Sequence, residues 1–103
     1  MIVETEYESL FKVFEDALIQ AQCGKGKERH TDGDGIPFED QQICSIPRMQ
    51  GSVDGPLFQA VKKCLEVKNI ELYEAKISEL YGAINYIAAA VILIQEKLEN
   101  EQN

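Results

Sequence analysis

The chain has 103 residues, 45 % of them hydrophobic and 27 % charged, which suits one globular domain with a modest core. The net charge of −8 excludes a general nucleic-acid-binding protein, because such proteins need a cationic surface, and it disfavours anionic membranes. Cys23, Cys44 and Cys64 are widely spaced and form no C-x-x-C pair, so they predict neither a disulfide framework nor a zinc site. The acidic N-terminus predicts no signal peptide and no apolar run reaches the ~18 residues of a membrane span, so we expect a cytoplasmic protein that does not contact a membrane.

The first predicted helix covers about residues 5–22. Thr5 and Glu8 have the spacing of a capping box that would open it. Its apolar side chains follow the i, i+3, i+4, i+7 spacing of an amphipathic helix; they are Tyr7, Leu10, Phe11, Phe14, Ala17, Leu18 and Ala21. The glycine-rich stretch 24–35 contains no apolar residue and predicts a loop.

Two shorter helices are predicted next. Pro37 suits the first turn of a helix over about residues 37–46, which Pro47 would end. Pro56 suits the first turn of a helix over about residues 56–68. The predicted apolar stripe of this third helix consists of Leu57, Phe58, Val61, Cys64 and Leu65.

The last predicted helix, about residues 70–99, carries two interleaved sets of apolar residues seven apart, the a/d pattern of a coiled coil. We call them together the heptad seam: Ile77, Leu80, Ile84, Ile87, Val91, Ile94 and Leu98. From Tyr81 to Ile94 the helix is apolar nearly all round, and at 1.5 Å per residue it would be ~45 Å long, too long for three shorter helices to cover. The sequence therefore predicts an all-α helical hairpin or bundle, in one domain, that assembles as a homo-oligomer. The alternative is a single-copy core helix with a frayed end.

The segment from Gly24 to His30 concentrates positive charge in an acidic protein. Glycines allow backbone N–H groups to line a concavity, and lysine and arginine bind phosphate. Further along the chain, Arg48 and Lys62 could add charge, and Phe38 or Phe58 could stack on a base. The predicted ligand-binding residues are Lys25, Gly26, Lys27, Arg29, His30, Phe38, Arg48, Phe58 and Lys62. The alternative is a solvated loop whose cations balance neighbouring carboxylates.

Several motifs with sharper chemistry do not fit. The glycine-lysine loop does not match a P-loop, and at Asp32–Gly35 a calcium loop would need a glutamate where Ile43 stands. Nucleotide pyrophosphohydrolases of the MazG type bind magnesium through E-x-x-E and E-x-x-D pairs on separate helices. Here the pairs Glu71/Glu74 and Glu96/Glu99 lie ~30 Å apart on one helix, so they cannot share a metal within one subunit. No catalytic residue, metal site or cofactor is predicted.

Three segments in this order resemble a group of small bacteriophage proteins: Gly24–His30, Pro37–Gln41 and Glu79–Tyr86. The likeness spans about residues 20–95. By analogy, the chain is similar in size and helical character to the phage anti-CBASS and anti-Thoeris sponges, which are helical homo-oligomers that sequester nucleotide signals without cleaving them. This resemblance implies a cytoplasmic site of action in the infected host cell.

The function expected from the sequence is therefore capture of a small phosphorylated, cyclic nucleotide signal by a phage anti-defence protein, without hydrolysis. A first alternative is a diverged magnesium-dependent nucleotide pyrophosphohydrolase of the MazG type, whose site would combine Glu71, Glu74, Glu79, Glu15 and Asp16 across subunits. A second alternative is an inhibitor whose acidic surface binds a host protein.

Overall fold

The computed structural model of the chain describes residues 2–23 and 35–102, and within these ranges every regular element is helical. The predicted all-α class is confirmed. The predicted loop, apart from Gly35, lies outside the described residues.

Helix α1 runs from Glu8 to Cys23 and follows a 3-10 turn over Thr5–Tyr7. The predicted start at residue 5 is thus the start of the turn. Thr5 lies inside that turn, whose capping position is Glu4, and no side-chain hydrogen bond caps it. The predicted capping box is therefore wrong.

Helix α2 runs from Gln42 to Gln50, so the predicted helix over residues 37–46 is displaced. Pro37 precedes a separate 3-10 turn, Phe38–Asp40, and the extended backbone of Gln41 (ψ 162°) separates this turn from α2. Pro47 lies inside α2 and does not end it. The helix ends instead at Gly51, whose φ of 71° favours glycine, and the N–H groups of Gly51 and Ser52 donate to the carbonyls of Arg48 and Pro47.

Helix α3 spans Asp54–Glu66 and continues into a 3-10 turn over Val67–Asn69. Helix α4 spans Tyr73–Gln102, which confirms the long C-terminal helix. Its 30 residues correspond to ~45 Å, and the longest dimension of the molecule is 44 Å. The length of the molecule is thus the length of α4.

All three shorter helices pack on α4, each on a different part of its surface. The amide of Gln20 on α1 donates to the carbonyl of Ser78 (2.9 Å), and the amide of Asn85 donates to the carbonyl of Ala17 (3.0 Å). Gln20 follows Ala17 on α1, whereas its partner Ser78 precedes Asn85 on α4, so the two helices run in opposite directions.

Helix α3 approaches α4 closely at Gly82. A Cβ at this position would lie 3.1 Å from Cε of Lys63, so the absent side chain leaves room for the lysine stem. The ammonium group of Lys63 continues past Gly82 to the carboxylate of Glu79, 2.7 Å away.

The buried core is small and built largely from small side chains. The buried hydrophobic residues of the described chain are Ala17, Ile43, Cys44, Ala60, Ala83, Ala89, Ala90 and Leu93. The larger apolar side chains of α1 and α3 face outward, and those of the heptad seam do as well. Phe14 on α1 is 53 % exposed, and Phe58 on α3 is 63 % exposed.

Helix α4 is also long and apolar enough to cross a membrane, judged by length and composition alone. Only 22 % of its most apolar 18-residue stretch is buried within the chain. The prediction that no apolar run of the sequence is long enough for a membrane span is therefore corrected.

Candidate functional site

The predicted phosphate-binding loop cannot be placed. Lys25, Gly26, Lys27, Arg29 and His30 all lie outside the described residues. The described chain stops at the end of α1 and resumes at Gly35, whose positive φ of 81° again suits glycine.

Two of the other predicted residues, Phe58 and Lys62, line the same hollow on the outer face of α3. The hollow has a volume of about 240 Å³ and a mostly apolar lining. Its wall is completed by Val61, Leu65, Glu66 and Asn69. All six residues belong to α3 and the 3-10 turn after it, so the hollow has a single wall and is open on the opposite side.

The chemistry of this hollow suits a flat, partly apolar group with a nearby negative charge. Phe58 offers the face of an aromatic ring, and such faces stack on bases. The ammonium group of Lys62 lies 3.7 Å from the carboxylate of Glu66, and both side chains are about half exposed. Exposed pairs of this kind are weak, so Lys62 can exchange Glu66 for a phosphate at little cost.

Arg48 and Phe38 lie elsewhere and have structural contacts. The guanidinium of Arg48 donates to both carboxylate oxygens of Glu96, at 3.0 and 2.8 Å, and to the carbonyl of Glu39, at 2.7 Å. Hydrogen bonding to Glu96 raises the pKa of Arg48, and the same bonds lower the pKa of Glu96. Phe38 packs on the core cluster around Cys44 and is partly buried.

The lysine and arginine side chains of the described chain are largely used by the scaffold. In residues 2–23 and 35–102, six of the seven have a carboxylate or carbonyl partner, and these six are Lys12, Arg48, Lys62, Lys63, Lys76 and Lys97. Lys12 on α1 pairs with Asp16, and their hydrogen bond lowers the pKa of Asp16. Weakly paired Lys62 and exposed Lys68 are therefore the lysines of this part of the chain that the scaffold uses least.

The carboxylates considered for magnesium binding are dispersed. Within residues 2–23 and 35–102, no group of three or more His, Cys, Asp or Glu side chains is placed to hold a metal ion. Glu79 and Glu96 are engaged by Lys63 and Arg48, so a metal at either position would have to displace a cation. Asp16 accepts from Lys12 and from the hydroxyl of Tyr81.

The thiols differ in their surroundings. Cys44 is fully buried in the core between α2 and α4, and burial raises its pKa to about 11. Cys23 and Cys64 are exposed.

Val61 and Leu65 were predicted as part of the apolar stripe of this helix and Asn69 was given no role, so none of the three was predicted to line a binding surface. The large apolar residues of α3, which are Leu57, Phe58, Val61 and Leu65, fall on one face of the helix, and the structure leaves them exposed while Pro56 and Ala60 are buried. A helix that places its large apolar side chains away from its own core is built to contact something else.

The chain matches no protein-family model, no curated protein and no solved structure among those with which it was compared.

Proposed function

We propose that this chain is a homo-oligomeric binding protein of phage origin that captures a phosphorylated, cyclic nucleotide signal and holds it without cleavage. The observation that carries the proposal is the distribution of positive charge. Because six of the seven lysine and arginine side chains in residues 2–23 and 35–102 have partners, the loop side chains Lys25, Lys27, Arg29 and His30 are the natural ligands for phosphate. Arginine can bind a phosphate through two N–H groups, and glycine allows the backbone to approach it.

The hollow on α3 supplies the second part of the proposed site. Phe58 stacks on the base, and Lys62 contributes charge at the rim. Since the hollow has one wall, a ligand bound there needs a second surface besides α3 and the turn after it. Arg48 is assigned to the scaffold and not to the ligand, because its donors are engaged by Glu96 and Glu39.

The ion pairs of Glu79 and Glu96 support the absence of cleavage in the proposal. Magnesium-dependent phosphate chemistry needs several carboxylates around one ion. Here Glu79 and Glu96 neutralise cations that join the helices. A ligand recovered chemically unchanged after incubation would support sequestration, and magnesium-dependent release of pyrophosphate would favour the MazG-type alternative.

Calorimetry against cyclic dinucleotides, cyclic trinucleotides and cyclic forms of ADP-ribose tests the proposal. We expect heat of binding with at least one of them, and a loss of at least ~10-fold in affinity for Lys25→Gln combined with Lys27→Gln. Lys62→Met should weaken binding, whereas Lys12→Met, a matched change on α1, should not. The absence of heat with every ligand would refute the proposal.

A second candidate function, inhibition of a host protein by direct binding, is favoured by the net charge of −8 together with the exposed apolar side chains of α1. Its test is retention of one host protein by the immobilised chain at a 1:1 ratio to the subunit, lost at high salt. Nucleotide binding without any retained protein would exclude it.

A further inference from the structure

The heptad seam runs along the face of α4 that the other described helices leave uncovered. Six of its seven side chains are 41–54 % exposed, and the seventh, Ile84, is half-buried. The residues of α4 that are buried are Ala83, Ala89, Ala90 and Leu93, none of which belongs to the seam. The seven-residue repeat in the sequence is thus not explained by packing within one copy.

Contacts with the other three helices show why the seam is left uncovered. Helix α1 binds α4 along Ser78, Tyr81 and Asn85. Helix α3 binds it along Glu79 and Gly82. Helix α2 binds it near its C-terminal end, through the cluster of Ala89 and Leu93 and through the ion pair from Arg48 to Glu96. In a helical projection these three faces leave one sector, and the seam fills it.

We propose that a second copy of this chain packs its own seam against this one, and that this contact forms the homo-oligomer. A repeat of alternating three and four residues is the period at which two helices interlock side chains along their length. The seam extends over 22 residues from Ile77 to Leu98, or ~32 Å. It is self-complementary because it carries no charged side chain, so two identical copies meet without opposing like charges.

The area of the seam is close to what a stable dimer needs. At roughly 80–100 Å² of exposed apolar surface for each of six half-exposed side chains, one copy offers on the order of 500 Å² and a pair about 1,000 Å². Stable interfaces usually bury ~1,200–2,000 Å² in total, and the flanking residues of α4 supply the difference. The exposed stripes of α1 and α3 remain available for further subunits or for a ligand.

A bilayer is a poorer occupant of the same surface. Tyr81 and Asn85 donate to α1, and Glu79 and Glu96 form ion pairs, so α4 makes polar contacts with each of the three other helices. A helix that crosses a membrane by itself contacts lipid on every side, and its surface must then be apolar all round. The seam alone, next to an acidic chain, offers a bilayer one narrow strip.

The test compares the full-length wild-type chain with Ile87→Glu, in the middle of the seam, and with Leu72→Glu, an exposed apolar residue outside it. Light scattering coupled to size-exclusion chromatography is run from about 5 to 200 μM. We expect the wild type and Leu72→Glu to be oligomeric. For Ile87→Glu we expect the dissociation constant of the seam contact to rise by at least ~100-fold, because two unpaired charges would be buried at the interface. Circular dichroism reports whether each variant remains helical.

If Ile87→Glu does not fold, Ile87→Ala replaces it, with an expected loss of ~10–100-fold in association. The thermal midpoint supplies a second measurement: it should rise with protein concentration in the wild type and less steeply in the seam variant. A monomeric wild type at 200 μM overturns the proposal. So does a seam variant that keeps its mass while Phe14→Glu or Phe58→Glu loses it, or a monomeric chain that floats with phosphatidylcholine–phosphatidylglycerol vesicles.

This interface deepens the homo-oligomer of the proposed function, but its test measures mass and needs no nucleotide. Loss of association with retained nucleotide binding would refute only an interfacial ligand site. Retained association with no nucleotide binding would refute only the proposed ligand.

Discussion

The ion pair between Lys63 and Glu79 joins α3 to α4 and gives a sharp test of how the two helices are held together. Its Nζ–Oε1 distance is 2.7 Å, and the two side chains are only 15 % and 23 % exposed. The lysine stem lies against Gly82, and the ammonium group is 5.9 Å from the centre of the Tyr86 ring. Loss of either partner leaves a charge in a largely dry environment.

The magnitude follows from this burial. Exposed pairs contribute about 0.2–1 kcal/mol, and removal of one partner of a fully buried pair costs about 3–5 kcal/mol. For Lys63 and Glu79, which lie between these limits, we expect a coupling free energy of about 1–2 kcal/mol. Lys63→Met keeps most of the stem over Gly82, so its effect reports on the charge and less on packing.

Urea unfolding in a double-mutant cycle measures this coupling free energy. The four proteins of the cycle are the wild type, Lys63→Met, Glu79→Gln and the double variant. Protein concentration must be fixed because the stability of an oligomer depends on it. The matched control is the cycle for Lys62 and Glu66 on the same helix, 3.7 Å apart and about half exposed, for which we expect less than ~0.5 kcal/mol. Equal coupling in the two cycles would refute the assigned role of burial.

Three further predictions follow from α2 and its contacts. Arg48→Lys should lower the free energy of unfolding by about 1 kcal/mol, because lysine cannot form the three hydrogen bonds of the guanidinium. The same variant should leave ligand affinity unchanged, and a large loss of affinity in calorimetry would return Arg48 to the ligand site. The lowered pKa of Glu96 gives stability that is present above pH ~4.5 and lost as the pH falls through the folded-state pKa. In urea titrations, Glu96→Gln should therefore lose less stability on acidification than the wild type does. A thiol reagent at pH 8 should modify Cys23 and Cys64 quickly and Cys44 only on unfolding; rapid modification of all three would contradict its burial.

The helical class and the long last helix were predictable because periodicity is a local property of the sequence. The heptad repeat also indicated a row of apolar side chains that residues 2–23 and 35–102 leave largely exposed, although it could not show which sector of α4 is uncovered. That sector depends on where three other helices pack. Contacts such as Gln20 with Ser78 join residues 58 positions apart, and no local spacing reveals them.

The start of α2 and the role of Arg48 were not predictable for related reasons. Pro37 and Pro47 suggested a helix between them, but the chain uses Pro37 before a short 3-10 turn and ends α2 at Gly51. Arg48 was grouped with the phosphate ligands by charge alone. Its partner Glu96 is 48 residues away, so only the packing of α2 on α4 shows that the guanidinium is engaged.

The central claim is that several copies of this chain together hold an intact nucleotide. Native mass spectrometry of protein purified from cells containing the matching nucleotide signal tests it most directly, because subunits and bound ligand are weighed in one spectrum. We predict a multiple of 11.6 kDa plus the mass of an uncleaved phosphorylated nucleotide, which is released on denaturation. A single 11.6-kDa species without added mass would contradict the account.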